Sequence, residues 1–395
     1  MPTTTVELGA FTGFTLDDPV LGLLDTGILD GGIAFTAVSS KVFGVSVSRG
    51  KNRDLDRAQA GVASVQLRNE GRDFDPLNTL SPFVDFVVPR RPVRILTDGS
   101  AVFRGLIDDW NLSYSPGGEA VASFDASDDF TLFARQVNAG GSVSAEASNV
   151  RLENVLDQAT VDWPADRRDI QSGDTTLAAG TLDDNVLSYM QDVDGSEQGL
   201  LFMSKSGDVA FRPRLVSIAG TAVRFTDDGS GVPFEQVLVT YGSETLANRS
   251  TVTSVAGTAT ASNATSEVVY GITESNFDTL LSSVPQLQSL ADYVVARFGE
   301  PEYRFENISV NLRALSSGQL ADVLGAEIGE RVDVLFSPPG GGSAISQRSL
   351  ILGISHDVSI DSHVVSFSLQ ELPFQFFILN DAVFGKLDGE GLLGF

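Results

Sequence analysis

The two histidines of the chain, His356 and His363, are the side chains that could serve as imidazole bases or as nitrogen ligands of a metal. They are seven positions apart, in a segment whose alternation of apolar and polar residues predicts two strands and a hairpin. Because this spacing on strands matches no zinc motif, we interpret both as surface or hairpin histidines. The chain has no cysteine, which excludes disulfides, thiolate metal sites and a cysteine nucleophile.

Neighbouring carboxylates are the second group that could do chemistry, because glycoside hydrolysis uses a pair of acids. Adjacent aspartates occur, among other places, at Asp108-Asp109, Asp128-Asp129 and Asp183-Asp184. The pairing that this reaction needs is spatial, so adjacency in the sequence does not itself predict an active site. The nucleophile-elbow, zinc-protease, phosphate-loop and dinucleotide motifs do not occur in the sequence. We therefore predict no catalytic, cofactor-binding or metal-binding residue, and a polysaccharide or peptidoglycan hydrolase stays an alternative hypothesis.

Residues 192–197, DVDGSE, carry alternating oxygen side chains and so resemble part of a calcium loop. An EF-hand has its turn glycine in sixth place and a glutamate in twelfth place, whereas here Gly195 is fourth and no glutamate is twelfth. We interpret the segment as the end of a helix followed by a turn.

Sugar-binding modules usually present several aromatic platforms, but this chain has only two tryptophans. Trp110 fits a core position in a strand, and Trp163 fits one at the edge of a helix. A receptor-binding carbohydrate module is the other alternative hypothesis.

The composition predicts a globular protein that does not bind phosphate tightly. Hydrophobic residues make up 42% of the chain and charged residues 20%, which is enough apolar surface for a sizeable core. There are 52 acidic and 26 basic side chains, for a formal net charge of -26, and no basic patch. Because no window of about 18 apolar residues occurs and the first residues lack a basic segment, we expect no membrane span and no secretion signal.

The length of 395 residues predicts two or three packed units, and the first is a β unit from about residue 35 to 135. Ala63, Val65 and Leu67 alternate with polar residues, as in a strand with one buried face. Asp98-Gly99 can supply the positive φ angles of a tight hairpin. Sequential hairpins of this kind indicate a barrel or a sandwich.

The next stretch, residues 141–232, predicts a small α+β unit. Apolar residues with helical spacing occur in two groups, Leu152, Val155, Leu156 and Ala159, and Leu182, Val186, Leu187 and Met190. Thr181 and Asp184 resemble a capping box at the start of the second helix. Residues 201–203 and 209–211 flank a turn sequence and predict a hairpin.

Strands resume after this unit, with one clear helix among them. Pro285 can occupy the first turn of the helix and Gly299 can end it. Its apolar stripe consists of Leu287, Leu290, Ala291, Val294, Val295 and Phe298. A run rich in Ser, Thr and Ala at 250–266 predicts a long surface loop, and the segments 332–336, 350–354 and 365–369 predict the last strands.

Two similar segments lie near the ends of the chain. FTLDDPVLGLLD at 14–25 and FILNDAVFGKLD at 377–388 are identical at seven of twelve positions. We interpret them as arms that dock in equivalent ways.

Several motifs in a fixed order resemble the hub-type minor tail proteins of siphophages, especially those of phages that infect actinobacteria. The most specific is RGKNRDLDRAQAGVASVQLRNEGRDFDP at 49–76, followed by SPF at 81–83, PVRI at 92–95 and FRGLIDDW at 103–110. Others are WPADRRDI at 163–170, ADYVVARFGEP at 291–301, GERVDV at 329–334 and GISH at 353–356. The resemblance covers most of residues 14–395.

The spacing patterns predict a mainly β fold with an α+β insertion, and the resemblance implies that the β regions are two hub-type, tail-tube-like β-barrel domains beside this small α+β domain. The expected ranges are an N-terminal arm at 1–34, a first barrel at 35–140, the insertion at 141–232, a second barrel with one helix at 233–372, and a C-terminal arm at 373–395.

The resemblance also implies a non-enzymatic structural protein of the virion, at the tip of a bacteriophage tail assembled in the host cytoplasm. In such hubs a homotrimer presents six barrels, which match the sixfold tail tube and close it toward a threefold tip. The implied partners are a distal tail protein or tube ring, the tape measure protein and tip or fibre proteins. Phage DNA would pass without specific binding, and an acidic channel wall would repel its backbone.

Overall fold

The computed structural model describes residues 2–11, 33–53, 56–214 and 223–372. Its strands are β1 (Thr4–Phe11), β2 (Ile33–Ala37), β3 (Val42–Gly50), β4 (Val62–Arg68), β5 (Pro92–Thr97), β6 (Ser100–Tyr114), β7 (Ala120–Ser127), β8 (Ser142–Val143), β9 (Glu146–Ala147), β10 (Arg168–Ile170), β11 (Thr176–Leu177), β12 (Gly180–Thr181), β13 (Leu200–Met203), β14 (Val209–Arg212), β15 (Val223–Thr226), β16 (Gln236–Gly242), β17 (Arg249–Ser254), β18 (Gly257–Ser262), β19 (Glu274–Asp278), β20 (Glu302–Asn311), β21 (Arg331–Phe336), β22 (Ile345–Ser359) and β23 (His363–Glu371). Its helices are α1 (Phe130–Phe133), α2 (Ser148–Leu156), α3 (Val186–Glu197), α4 (Ala264–Tyr270), α5 (Val284–Phe298) and α6 (Ser317–Gly325).

One large sheet runs through both β regions in the order β16-β20-β23-β22-β3-β4-β7-β6-β5-β1-β2, with β21 paired to β22 and β15 paired to β21. The prediction of a mainly β chain is confirmed. The predicted barrels are not confirmed, because in the described residues the two end strands of this path, β16 and β2, do not pair with each other. Strand β1, which lies within the range predicted as the N-terminal arm, pairs with β5.

Five strands in each half of this sheet have the same order and the same pairing. The first β unit, β3 to β7, is arranged as β3-β4-β7-β6-β5, and the second β unit, β16 and β20 to β23, as β16-β20-β23-β22-β21. The fourth strand of each spatial series, β6 or β22, is 15 residues long. Each also shifts register against its neighbour, between Ile107 and Asp109 and between Ile351 and Gly353. The two halves are therefore structural duplicates.

The two β units join where β3 lies antiparallel to the second half of β22, with Gly50 opposite Gly353 and Gly44 opposite Ser359. Gly50 has a φ of 85°, and a Cβ added there would lie 2.3 Å from the carbonyl oxygen of Leu352. A Cβ at Gly353 would lie 3.0 Å from the carbonyl oxygen of Arg49. Two glycines are thus needed for the close approach of the two backbones.

Within the described residues, three hydrophobic clusters form the core. One belongs to the first β unit and contains Val47 and Phe124, and a second belongs to the second β unit and contains Phe305 and Phe367. The third combines the α+β insertion with β17, β18 and α5, for example through Leu290. This third cluster extends across the expected boundary between 232 and 233. The chain between β16 and β20, which includes β17, β18 and α5, packs its apolar side chains on the α+β insertion rather than on the second β unit.

Several local predictions are confirmed. Strand β4 buries Ala63, Val65 and Leu67 on one face. The turn between β5 and β6 has positive φ at Asp98 and Gly99, 46° and 81°. Helix α5 buries the whole predicted apolar stripe, and β13 and β14 form the predicted hairpin.

Three local predictions are wrong. The run at 250–266 holds strands β17 and β18, because alternate residues such as Val252 and Ala259 pack under α5. Helix α3 begins at Val186 rather than after Thr181, since Asn185 caps it by accepting a hydrogen bond from the Ser188 N–H at 3.2 Å. Helix α2 ends before Ala159. The two similar segments at 14–25 and 377–388 lie outside the described residues.

Candidate functional surface

The two histidines come together, but inside the protein. His356 on β22 and His363 at the start of β23 are 6% and 1% exposed, and His356 Nδ1 lies 3.2 Å from His363 Nε2. The hairpin interpretation is confirmed and the surface interpretation is wrong, because His356 pairs with Val47 and shares its buried face of the sheet. Burial lowers the pKa of His363 to about 4 and holds the pKa of His356 well below its usual value.

Of the adjacent aspartates, Asp128 and Asp129 serve local structure. Asp128 is buried and accepts hydrogen bonds from the Gly61 N–H at 2.6 Å and the Phe130 N–H at 3.0 Å. Burial raises its pKa to about 7. Asp129 forms an ion pair with Arg167 at 2.8 Å. Among the described residues no group of three or more His, Asp or Glu side chains could hold a metal ion.

The segment 192–197 is the last part of helix α3, which ends at Glu197 with Gln198 in the left-handed conformation. The interpretation as a helix end is therefore confirmed. Glu197 is fully buried, and its carboxylate accepts hydrogen bonds from Ser148 Oγ at 2.7 Å and from the Asp174 N–H at 2.9 Å. Glu197 therefore joins the start of α2 and the loop between β10 and β11 to the end of α3.

Both tryptophans pack against other side chains. Trp110 stacks on Phe74 at 5.9 Å between ring centroids, and Trp163 packs edge-on against Phe133 at 5.0 Å. The Trp163 indole N–H also donates to the carbonyl oxygen of Arg167 at 2.9 Å. These contacts agree with the predicted core positions.

A buried polar junction joins three parts of the chain at the start of the RGK motif. Arg49 on β3 donates to Glu327 at 2.9 Å and to the carbonyl oxygen of Met203 at 3.3 Å. The Lys205 N–H donates to the same Glu327 at 2.9 Å, and its ammonium contacts the carbonyls of residues 324–326 at the end of α6, at 2.6 to 3.1 Å. The first β unit, the β13–β14 hairpin and the second β unit thus share one ionic cluster.

The motif NEGRDFDP at 69–76 forms a turn after β4 that is held by hydrogen bonds between its own residues. Asn69 is buried and accepts a hydrogen bond from the Phe74 N–H at 2.9 Å. Asp75 accepts from Arg72 at 2.7 Å and from the Tyr114 hydroxyl at 3.0 Å. The motif therefore fixes the loop against the end of β6.

The side of the large sheet that faces away from the core carries small polar residues across both β units. We call this surface the polar face, and it follows three neighbouring rows of cross-strand partners. They are Gln236, Ser309, Ser366, Ser355, Ser48, Val62 and Ser127; Asn311, Val364, Asp357, Ser46, Ser64, Asp125 and Asp109; and Ser359, Gly44, Gln66, Ser123 and Asn111.

These rows contain no lysine or arginine, although Arg68 lies one row further along β4. Hydroxyl and amide groups are neutral, and the charges within the rows come from Asp109, Asp125 and Asp357. A phosphate backbone that contacts these three rows meets no cation within them and is repelled by the carboxylates. The polar face thus suits contact with nucleic acid without adhesion.

No protein-family model and no curated protein matches the sequence. A solved tail protein from Neisseria meningitidis has a TM-score of 0.60 at 12% identity, over 94% of this chain and 96% of that chain. The 43 kDa tail protein of prophage MuSo2 from Shewanella oneidensis has a TM-score of 0.57 at 12% identity, over 94% and 97%. The chain shares the fold of these tail proteins.

The polar face was not predicted, although its signal is present in the sequence. Serines and other polar residues alternate with apolar ones at 46–48, 64–66, 123–127 and 366–368, and they flank His356 at 355–357. Each stretch alone looks like an ordinary half-buried strand. Only the pairing of β3 with β22 aligns the stretches of the two β units into continuous rows.

No helix in the described ranges is long and apolar enough to cross a membrane.

Proposed function

We propose that this chain is a structural hub protein of a bacteriophage tail tip. The observation that carries the proposal is the duplicated β unit, found in a chain with the fold of tail proteins. Three copies with two equivalent units each would present six units to a sixfold tail tube, while the remainder of each copy keeps threefold symmetry toward the tip. The protein then acts as a symmetry adaptor in the virion and not as an enzyme.

In this assembly the polar face lines the channel through which phage DNA passes. Its rows cross both β units and hold serine, asparagine and aspartate without lysine or arginine. Such a wall offers the DNA phosphates no ion pair, so the DNA can move along it without being held. This refines the proposed acidic channel, since the rows are mostly neutral with a few carboxylates.

Partners in the tail would cover the two ends of the ring. We propose a distal tail protein or tube ring and the tape measure protein on one side, and tip or fibre proteins on the other. The similar segments 14–25 and 377–388 would dock on equivalent surfaces of the sixfold partner. Deleting residues 377–395 should then impair tail assembly, and normal assembly would contradict this role.

Light scattering coupled to size-exclusion chromatography tests the oligomeric state. A homotrimer should have a mass of about 126 kDa, which is three times 41.9 kDa. A stable monomer at every concentration and in the presence of tube protein would contradict the proposal. Zymography on host cell walls tests the alternative of a hydrolase, and a glycan array tests the alternative of a receptor-binding module. We expect no hydrolysis and no sugar binding.

A further inference from the structure

We propose that β16 of one copy pairs with residues 110–114 of β6 in a second copy, and that this pairing repeats the β3–β22 junction between copies. The inference rests on the proposed homo-oligomer, and it names the surface and the register through which the copies meet. The occupant of each free edge is therefore a second copy of this chain.

The equivalence of β6 and β22 can be counted in residues. Strand β5 begins its pairing with β6 at Leu106, and β21 begins its pairing with β22 at Leu350, 244 positions later. The register shift follows Ile107 in β6 and Ile351 in β22, again 244 positions apart. Two independent features thus give the same alignment, in which residues 109–115 correspond to 353–359.

The corresponding segments of β6 and β22 differ in the number of strands that pair with them. In β22, residues 353–359 have β23 on one side and β3 on the other. In β6, residues 109–114 pair with β7, but β5 pairs only as far as Leu106, and no other described strand takes the free side. This half of β6 is an open edge where its counterpart is closed.

Strand β16 has the matching open edge. Its counterpart β3 pairs with both β4 and β22, whereas β16 pairs with β20 alone among the described strands. Leu238 and Tyr241 on β16 are 48% and 68% exposed, and Tyr114 on the β6 edge is 50% exposed. Exposed edges with large apolar side chains are costly in solution and tend to add a further strand.

The register follows from the pairing of β3 with β22. Ser46 lies opposite Asp357 there. Asp357 corresponds to Ser113 by the spacing of 244. Asp125 and Ser368 correspond to each other, because each pairs with the first residue after a register shift, Asp109 or Gly353. Asp125 pairs with Ser64 and Ser64 with Ser46, and Ser368 pairs with Asn307 and Asn307 with Leu238, so Ser46 corresponds to Leu238. Ser113 of one copy should therefore lie opposite Leu238 of the next.

The ends of the two strands agree with this alignment. Gly242 ends β16 four positions after Leu238, as Gly50 ends β3 four positions after Ser46. At the facing position β22 has Gly353, whose missing Cβ lets the backbones approach, but β6 has Asp109. The strands should consequently separate at Asp109, which limits the proposed pairing to residues 110–114.

Cysteine pairs test the register directly, because the natural chain contains no cysteine. Facing residues of antiparallel strands have Cα atoms about 4.5 to 5.5 Å apart, within the range of a disulfide. The double variant Ser113→Cys, Leu238→Cys should give cross-linked species of two and three chains on a non-reducing gel. The matched control Ser46→Cys, Asp357→Cys should cross-link within one chain, and Asn111→Cys, Leu238→Cys, two residues out of register, should cross-link much less.

Light scattering on the same samples separates the two proposals. A protein that stays monomeric would overturn both the proposed trimer and this interface. A trimer whose Ser113→Cys, Leu238→Cys variant gives no cross-link between chains, while the Ser46→Cys, Asp357→Cys control reacts, would overturn the interface alone.

A charge placed on the edge gives a second measurement. Leu238→Lys should shift the oligomer toward monomers at least tenfold in dissociation constant, whereas Val268→Lys, at a residue that is 87% exposed on α4, should not. Equal oligomerisation of the two lysine variants would count against the proposed edge.

Discussion

Arg49 Nη1 lies 2.9 Å from Glu327 Oε1, and this ion pair connects β3 of the first β unit to the segment that precedes β21 of the second. The arginine side chain is 3% exposed and the glutamate side chain 14%. A charge that loses its partner at such a depth is poorly solvated, so separating the two β units at this point would be costly.

The first prediction is that removal of one partner is costly. Arg49→Met should lower the free energy of unfolding by about 3 kcal/mol, because Glu327 loses its arginine and keeps only hydrogen bonds from backbone N–H groups such as that of Lys205. Arg53→Met is the matched control, since the Arg53–Glu244 pair is about half exposed and should contribute less than about 1 kcal/mol. Urea denaturation followed by circular dichroism would measure both, and an equal loss would contradict the structural role of the buried pair.

The second prediction concerns acid. The folded-state pKa values of His356 and His363 lie below the unfolded value of 6.5, so the native state binds fewer protons than the unfolded state. The contribution of the histidine pair to stability should therefore be complete above about pH 6.5 and fall as the pH drops toward 4, by about 1 kcal/mol per pH unit for each histidine. Asp128, whose pKa is raised to about 7, has the opposite effect over this range, so the comparison of the natural protein with a histidine variant isolates the pair.

Unfolding curves at pH 7.5, 6 and 5 would measure this slope. The double variant His356→Gln, His363→Gln should lose less stability between pH 7.5 and 5 than the natural protein does. Parallel pH profiles of the two proteins would show that the histidine pair is not responsible.

The third prediction concerns the close approach of the two backbones. Gly50→Ala should cost about 3 kcal/mol, through positive φ and through contact of the new Cβ with the Leu352 carbonyl oxygen. Gly118→Ala also has positive φ but meets no atom within 4 Å, so it should cost only about 1 kcal/mol. Thermal unfolding would compare the two, and similar losses would show that the β3–β22 contact tolerates a side chain.

The fourth prediction concerns the polar face. Ser48→Lys places a cation in the first of its three rows, between Ser355 and Val62, and the purified oligomer should then bind duplex DNA several-fold more tightly, with a steeper dependence on salt. Val268→Lys adds the same charge outside the polar face. Fluorescence anisotropy at several salt concentrations would measure both, and equal DNA binding would argue that the polar face does not meet DNA.

Strands and helices that carry their own signal could be predicted from the sequence. The alternation around Val65, the Asp98-Gly99 turn and the apolar stripe of α5 each follow from local spacing, and the structure confirms them. The motifs of the tail-protein resemblance also pointed to the fold that the chain shares with solved tail proteins.

Features that depend on long-range pairing were not predictable in this way. His356 looks like a hairpin histidine until β3 is placed beside β22, which puts it on the same face as the buried Val47. Strand β17 looks like a polar loop because its residues are small, and its burial comes from α5 more than thirty residues later. The duplicated β unit leaves little trace in the sequence, since the same pairing is built from different side chains.

Cryo-electron microscopy of the purified oligomer, or of the tail that contains it, tests the central claim most directly. We predict three copies of the chain in a ring of six β units, with Ser46, Ser64 and Asp357 of the polar face lining a central channel. A monomer, or a ring in which these residues face outward, would contradict the account of this protein as a symmetry adaptor of a phage tail tip.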